Sequence, residues 1–194
     1  MPAPKRTLGH PYNIHALSDG SLVATFSCSM DETKETFTDS AGVFVWPAGA
    51  TGWEDRSHPR MHYWTKDLVL DPNDKTQSTW YVGVFRNWGD QYQAPGGLFR
   101  TKDRGKSWTE LSNVTRVDSC AISPTNPNQV FFTTDGEGLW VSNDAASDKP
   151  TFVRDDRYDF GHPSRVFFDP YDKGAVWATS FGSGLRRLVL EDEA

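Results

Sequence analysis

The chain has 194 residues, enough for one domain with a buried core and too few to require two. Its formal net charge of −6 disfavours a nucleic-acid partner, since phosphate binding relies on Lys and Arg displacing counterions. No apolar run approaches the ~18 to 20 residues needed to cross a bilayer, and "MPAPKRTLGH" has no apolar core, so neither a membrane span nor a signal peptide is expected in this chain.

Aromatics make up 13% of the residues, with 8 Trp, 16 Gly and 12 Pro, a balance that suits many short strands joined by turns. Cys28 and Cys120 are too few for a disulfide framework and lack zinc spacing, so both are expected as buried thiols. His58 and His62 stand four apart, a metal spacing only on a helix, and Pro59 argues against one. No metal and no cofactor is expected.

The chain begins with "KRTLGHPYNIHAL", which resembles "DDRYDFGHPSRVFF" further on, with Gly9-His10-Pro11 standing where Gly161-His162-Pro163 stand. This predicts residues 1–8 as an outer strand belonging to the last unit. Next comes a hairpin, "LSDGSLVATFSC", then a glycine-led strand at Gly42, "AGVFVW". The pattern recurs as "LDPNDKTQSTWYVGVF" with "GGLFRT" at Gly97, as "ISPTNPNQVFFTTD" with "EGLWVS" at Gly138, and as "FDPYDKGAVWATSF" with "SGLRRL" at Gly184. In three units a further segment follows, such as "SWTELSN" or "TFVRDD"; the last unit lacks one.

The turn anchors Asp19, Asp71, Ser123 and Asp169 lie 52, 52 and 46 residues apart, a period of propeller-blade length. The fold is therefore read as all-β, a β-propeller or partial propeller of four four-stranded blades in one domain. Approximate repeats are 9–58, 59–113, 114–155 and 156–194. Three closures are open: a ring of four, a homodimer completing an eight-bladed ring, or part of a longer propeller.

"GLFRTKDRGKSW" ends like a phosphate-binding loop, but the first glycine that such a loop needs is replaced by Arg100. Within it Thr101, Asp103, Gly105 and Trp108 match S/T-x-D-x-G-x-x-W, the Asp-box, and the chain resembles the sialidase-type (BNR) propellers that carry it. Ser142 and Asp144 keep part of the motif in the third unit. The resemblance implies a structural turn on the outer rim: a short aspartate accepts backbone N–H bonds, glycine supplies an unusual angle, and the indole packs beneath. The repeats also resemble those of sortilin-type, xyloglucanase-type and photosystem-assembly propellers, which share blades and not chemistry.

Propeller ligands commonly sit where the innermost strands begin. Counting back four from each anchor gives His15, Asp67, Ser119 and Arg165; counting back five gives Ile14, Lys66, Asp118 and Ser164. His15, Lys66, Asp67, Arg116, Asp118 and Arg165 are thus candidate ligand-binding residues, with Trp64, Trp88 and Tyr92 as aromatic platforms for sugar rings. The leading expectation is a carbohydrate-binding module acting on that face. One alternative is a glycoside hydrolase of xyloglucanase-like type, for which Asp67 and Asp118 are the candidate carboxylates. Side-chain alternation sets these two on different columns, and Lys66 in the column of Asp118 suggests an ion pair instead. A second alternative is a non-catalytic propeller that binds or assembles protein.

Overall fold

The computed structural model describes residues 1–8, 10–33, 37–62, 64–86, 96–159 and 161–190. Four antiparallel sheets form, each from strands consecutive in sequence. The first contains β1 (Pro11–Ala16), β2 (Leu22–Phe26), β3 (Gly42–Trp46) and β4 (Glu54–Asp55). The second contains β5 (Thr65–Leu70), β6 (Trp80–Val84), β7 (Gly97–Thr101) and β8 (Thr109–Ser112). The third has β9 (Val117–Ile122), β10 (Val130–Thr134), β11 (Gly138–Ser142) and β12 (Val153–Arg154). The fourth has three strands, β13 (Pro163–Phe168), β14 (Ala175–Ser180) and β15 (Gly184–Val189). All described strands pair as the hairpin pattern predicts, and the fold is all-β.

Each sheet has two faces because successive side chains alternate, and the apolar residues of one face pack on the next sheet. Val23, Val43 and Val45 meet Leu68, Trp80, Val82 and Phe99. Tyr81 and Leu98 meet Cys120, Ile122, Val130 and Phe132. Ala121, Phe131 and Leu139 meet Val166, Val176, Ala178 and Leu188. Burying one such Leu or Phe contributes about 1.5 to 3 kcal/mol, so the sheets are held chiefly by these three layers. The inner strands follow one another around a hub, β1 beside β5, β5 beside β9 and β9 beside β13, and the fan stays open between its first and last sheets. This is the blade arrangement of a partial β-propeller.

Two backbone hydrogen bonds frame every inner hairpin and fix which residues are equivalent. At one end the N–H groups of Ser27, Phe85, Asp135 and Phe181 donate to the carbonyls of His10, Trp64, Arg116 and His162. At the other, the N–H groups of Leu17, Asp71, Ser123 and Asp169 donate to Ser21, Thr79, Gln129 and Ala175. Leu17, not Asp19, therefore matches the other three anchors. The first hairpin turns in fewer residues, and its aspartate sits inside the turn, where Asp19 Oδ1 accepts from Ser21 N at 2.9 Å. Every inner-strand column shifts by two in the first sheet.

The Thr101–Trp108 stretch closes a compact turn. Thr101 Oγ1 donates to Asp103 Oδ1 (2.7 Å) and accepts from Gly105 N (2.9 Å), while Asp103 accepts from both N and Oγ of Ser107. The Trp108 indole N–H donates to Arg56 O at 2.7 Å, so the turn of the second sheet is fastened to the first. Ser142 and Asp144 repeat the circuit, with Thr151 N donating to Asp144 at 2.8 Å. Arg100 spans the next boundary from a buried position, donating to the carbonyls of Ala145 and Ser147 beside that second turn.

Residues 1–8, expected as an outer strand of the last sheet, carry no strand and lie on the first sheet instead, where Arg6 meets Asp55 and Pro2 O accepts from the Trp53 indole. Arg6 donates to Asp55 and to Ala41 O (2.5 Å), with its guanidinium 5.2 Å from the Phe44 ring centre. Arg60, in the connector between the first two sheets, does the same to Glu110, Gly96 O (2.7 Å) and the Phe99 ring, again at 5.2 Å. The N-terminal residues thus occupy the place of an inter-sheet connector.

Candidate functional site

The corrected register puts Asn13, Asp67, Ser119 and Arg165 at one level of the hub. Three of them form a hydrogen-bonded belt. Asn13 Nδ2 donates to Asp67 Oδ1 (2.8 Å) and Leu68 O (3.1 Å), and Ser119 Oγ donates to Asp67 Oδ2 (2.8 Å). Ser119 Oγ in turn accepts from Val166 N at 3.3 Å. Each belt residue therefore grips the inner strand of the following sheet. A buried carboxylate needs such partners, and Asp67, only 2% exposed, has them on both sides. Arg165 ends the series and makes no hydrogen bond or ion pair among the described residues.

His15 was expected in this column and instead shares a level with Val69, Ala121 and Phe167, where its Nε2 lies 2.7 Å from Leu68 O. Ile14 likewise leaves the column of Lys66 and Asp118, and Tyr12 replaces it. Burial raises the Tyr12 phenol above its ordinary value, and the nearby Asp67 and Asp118 carboxylates add to the effect.

On the side where the inner strands begin, opposite charges pair off. Lys66 is bonded to Asp118, and its ammonium lies 4.1 Å from the Phe85 ring centre. Burial pushes the Asp118 carboxyl above its ordinary value, although Lys66 opposes the shift. Arg116 pairs with Asp135 at 3.2 Å, and His162 Nδ1 lies 3.2 Å from the other oxygen of that carboxylate. Trp64 is wedged between Phe37 (5.6 Å) and Phe85 (5.2 Å) and is not an open platform. Trp88 and Tyr92 lie outside the described residues. Asp67 and Asp118 thus have separate partners, in line with the alternation of the strand.

A concavity lies on the other side of the belt. A cavity of about 420 Å³ runs along the hub, floored by Asn13, Asp67 and Arg165, walled by His15, Val69, Ile122 and Phe167, and rimmed at the strand ends by Pro72, Pro124, Pro170 and Lys173. It joins the candidates His15, Asp67 and Arg165 and excludes Lys66, Asp118, Arg116 and Trp64. Sequence reasoning missed Asn13, Phe167 and Lys173. The signal for Asn13 was the hairpin spacing of the later units, which the misplaced first anchor obscured; Phe167 stands two residues before the correctly placed Asp169. Among the described residues, no group of three or more His, Cys, Asp and Glu gathers in a metal-binding arrangement. No helix is long and apolar enough to cross a membrane among those residues.

The architecture is shared with several solved propellers. A GH74 xyloglucanase from Xanthomonas campestris superposes with a TM-score of 0.65 at 14% identity, over 91% of this chain and 29% of that one. YCF48 from Cyanidioschyzon merolae gives 0.60 at 15%, over 95% and 52%. A gluconolactonase from Xanthomonas campestris gives 0.58 at 14%, over 93% and 57%. These likenesses establish the propeller fold, and the chain spans between 29% and 57% of the lengths of these three proteins. No protein-family model matches the sequence. No curated protein matches it either.

Proposed function

We propose that the protein is a ligand-binding propeller unit and that the hub cavity takes a carbohydrate. The observation that carries this reading is the cavity wall itself, where the partly exposed Phe167 ring stands beside the polar heads of His15, Arg165 and Lys173. A sugar ring presents C–H faces to an aromatic and hydroxyls to donors and acceptors, and such a wall offers both. The turns at Thr101–Trp108 and Ser142–Asp144 are Asp-boxes in this reading, scaffolding remote from the ligand. Calorimetric titration with oligosaccharides cut from xyloglucan and mixed-linkage β-glucan tests it. Binding is expected, weakened about tenfold by Phe167→Ala, or ~1.4 kcal/mol; an absence of binding across the panel rejects the carbohydrate.

The second reading is hydrolysis, favoured only by the direction in which burial shifts the Asp118 carboxyl, upward as in a general acid. It is disfavoured by the Lys66 partner and by the enclosure of Asp67. Release of reducing ends from polysaccharide, lost in Asp118→Asn, would favour this reading over binding alone.

A further inference from the structure

Equivalent positions in the four sheets are buried three times and bare once. On the face that each sheet turns to its successor, Val43, Leu98 and Leu139 are fully buried, whereas their equivalent Leu185 is 61% exposed. On the face turned to the predecessor, Leu68, Cys120 and Val166 are buried, whereas Ile14 is 60% exposed. The four described sheets therefore present two unlike end faces, each built as one half of a junction already made three times.

We propose that a second copy of this chain supplies both missing halves, the last sheet of each copy packing on the first sheet of the other. An internal junction always joins a forward face to a backward face, and a single chain is left with one of each. Two copies related by a two-fold axis satisfy all four end faces at once and give eight blades, within the range at which propellers close. The chemistry of the hub matches. Each belt residue bonds to the next sheet at its own level or one residue further, as Asn13 does to Asp67 and Leu68 O. Arg165, a donor without an acceptor, reaches in the dimer toward Asn13 Oδ1 and Ile14 O of the partner copy. The first sheet is already dressed for the contact, since Arg6 covers Phe44 as Arg60 covers Phe99 at an internal junction.

Sedimentation velocity on the full chain, Ile14→Asp, Leu185→Asp and their equimolar mixture tests the arrangement, with circular dichroism confirming that each exposed-site variant is folded. The wild type is expected at twice the 21.8 kDa chain mass at micromolar concentration. Either variant alone is expected at 21.8 kDa, because each spoils both junctions, and the mixture is expected to recover part of the dimer through the one intact junction. A wild-type monomer overturns the proposal, and so does an open series of larger oligomers. A dimer lost in only one of the variants does too, since that pattern means that like faces pair.

Discussion

At Gly105 the backbone has φ +79°, and an added Cβ would stand 3.0 Å from that of Arg56 and 3.4 Å from the Trp108 ring. Gly105→Ala should therefore cost about 1 to 2 kcal/mol, read as a lower urea midpoint at unchanged slope. The turn aspartates also set the acid limit. The Arg104 hydrogen bond holds Asp19 down at about 2. For Asp74, burial acts upward, but hydrogen bonds from Thr76 and Thr79 outweigh it and lower the carboxyl. A depressed carboxyl stabilises the fold above its unfolded value of about 3.9 and loses that contribution as pH falls through the folded value. Melting temperature should accordingly drop between pH ~4 and ~2, and less steeply in Asp19→Asn. An unchanged slope in that variant would remove the Asp19–Arg104 strap from the account. Asp118 has the opposite sign: its raised carboxyl opposes folding when ionised, and that cost is relieved as pH falls through the raised value.

At the scale of elements, the sheets are joined by a few buried straps as well as by apolar layers. Arg100 is one of them, and its buried guanidinium satisfies the carbonyls of Ala145 and Ser147 across the boundary between the second and third sheets. Arg100→Ala should cost about 3 kcal/mol by stranding those acceptors, and Arg100→Lys should recover only part of it. Thermal melts of the two variants decide this; equal, small losses would mean that water replaces the strap. The strands themselves were legible in the sequence, because hairpin turns and the glycine heading each third strand mark them directly. The two-residue offset of the first sheet was not. Asp19 is chemically like Asp71 and Asp169 and serves a turn as they do, but only the backbone bond at Leu17 reveals where the turn begins. That offset hid Asn13 and promoted His15. The N-terminal segment misled for a related reason: the Gly-His-Pro match correctly marks a connector, yet a connector packs on the sheet that follows it.

For the whole molecule, the placement of charge was half legible. Alternation along the strands separated Asp67 from Asp118 and paired Lys66 with Asp118, as the structure shows. The side of the hub that holds the cavity depends on how tightly the belt closes, a tertiary property that no single strand encodes. All of this rests on one junction repeated around an axis. The direct measurement is urea unfolding of Leu98→Asp, Leu139→Asp and Leu185→Asp at a protein concentration low enough to dissociate any dimer. A charge at either internal position should remove several kcal/mol or prevent folding, about 3 to 5 kcal/mol by the cost of an unpaired buried charge, whereas Leu185→Asp should stay within about 0.5 kcal/mol of the wild type. Equal losses at all three positions would contradict the open fan, because Leu185 would then be buried within a single chain.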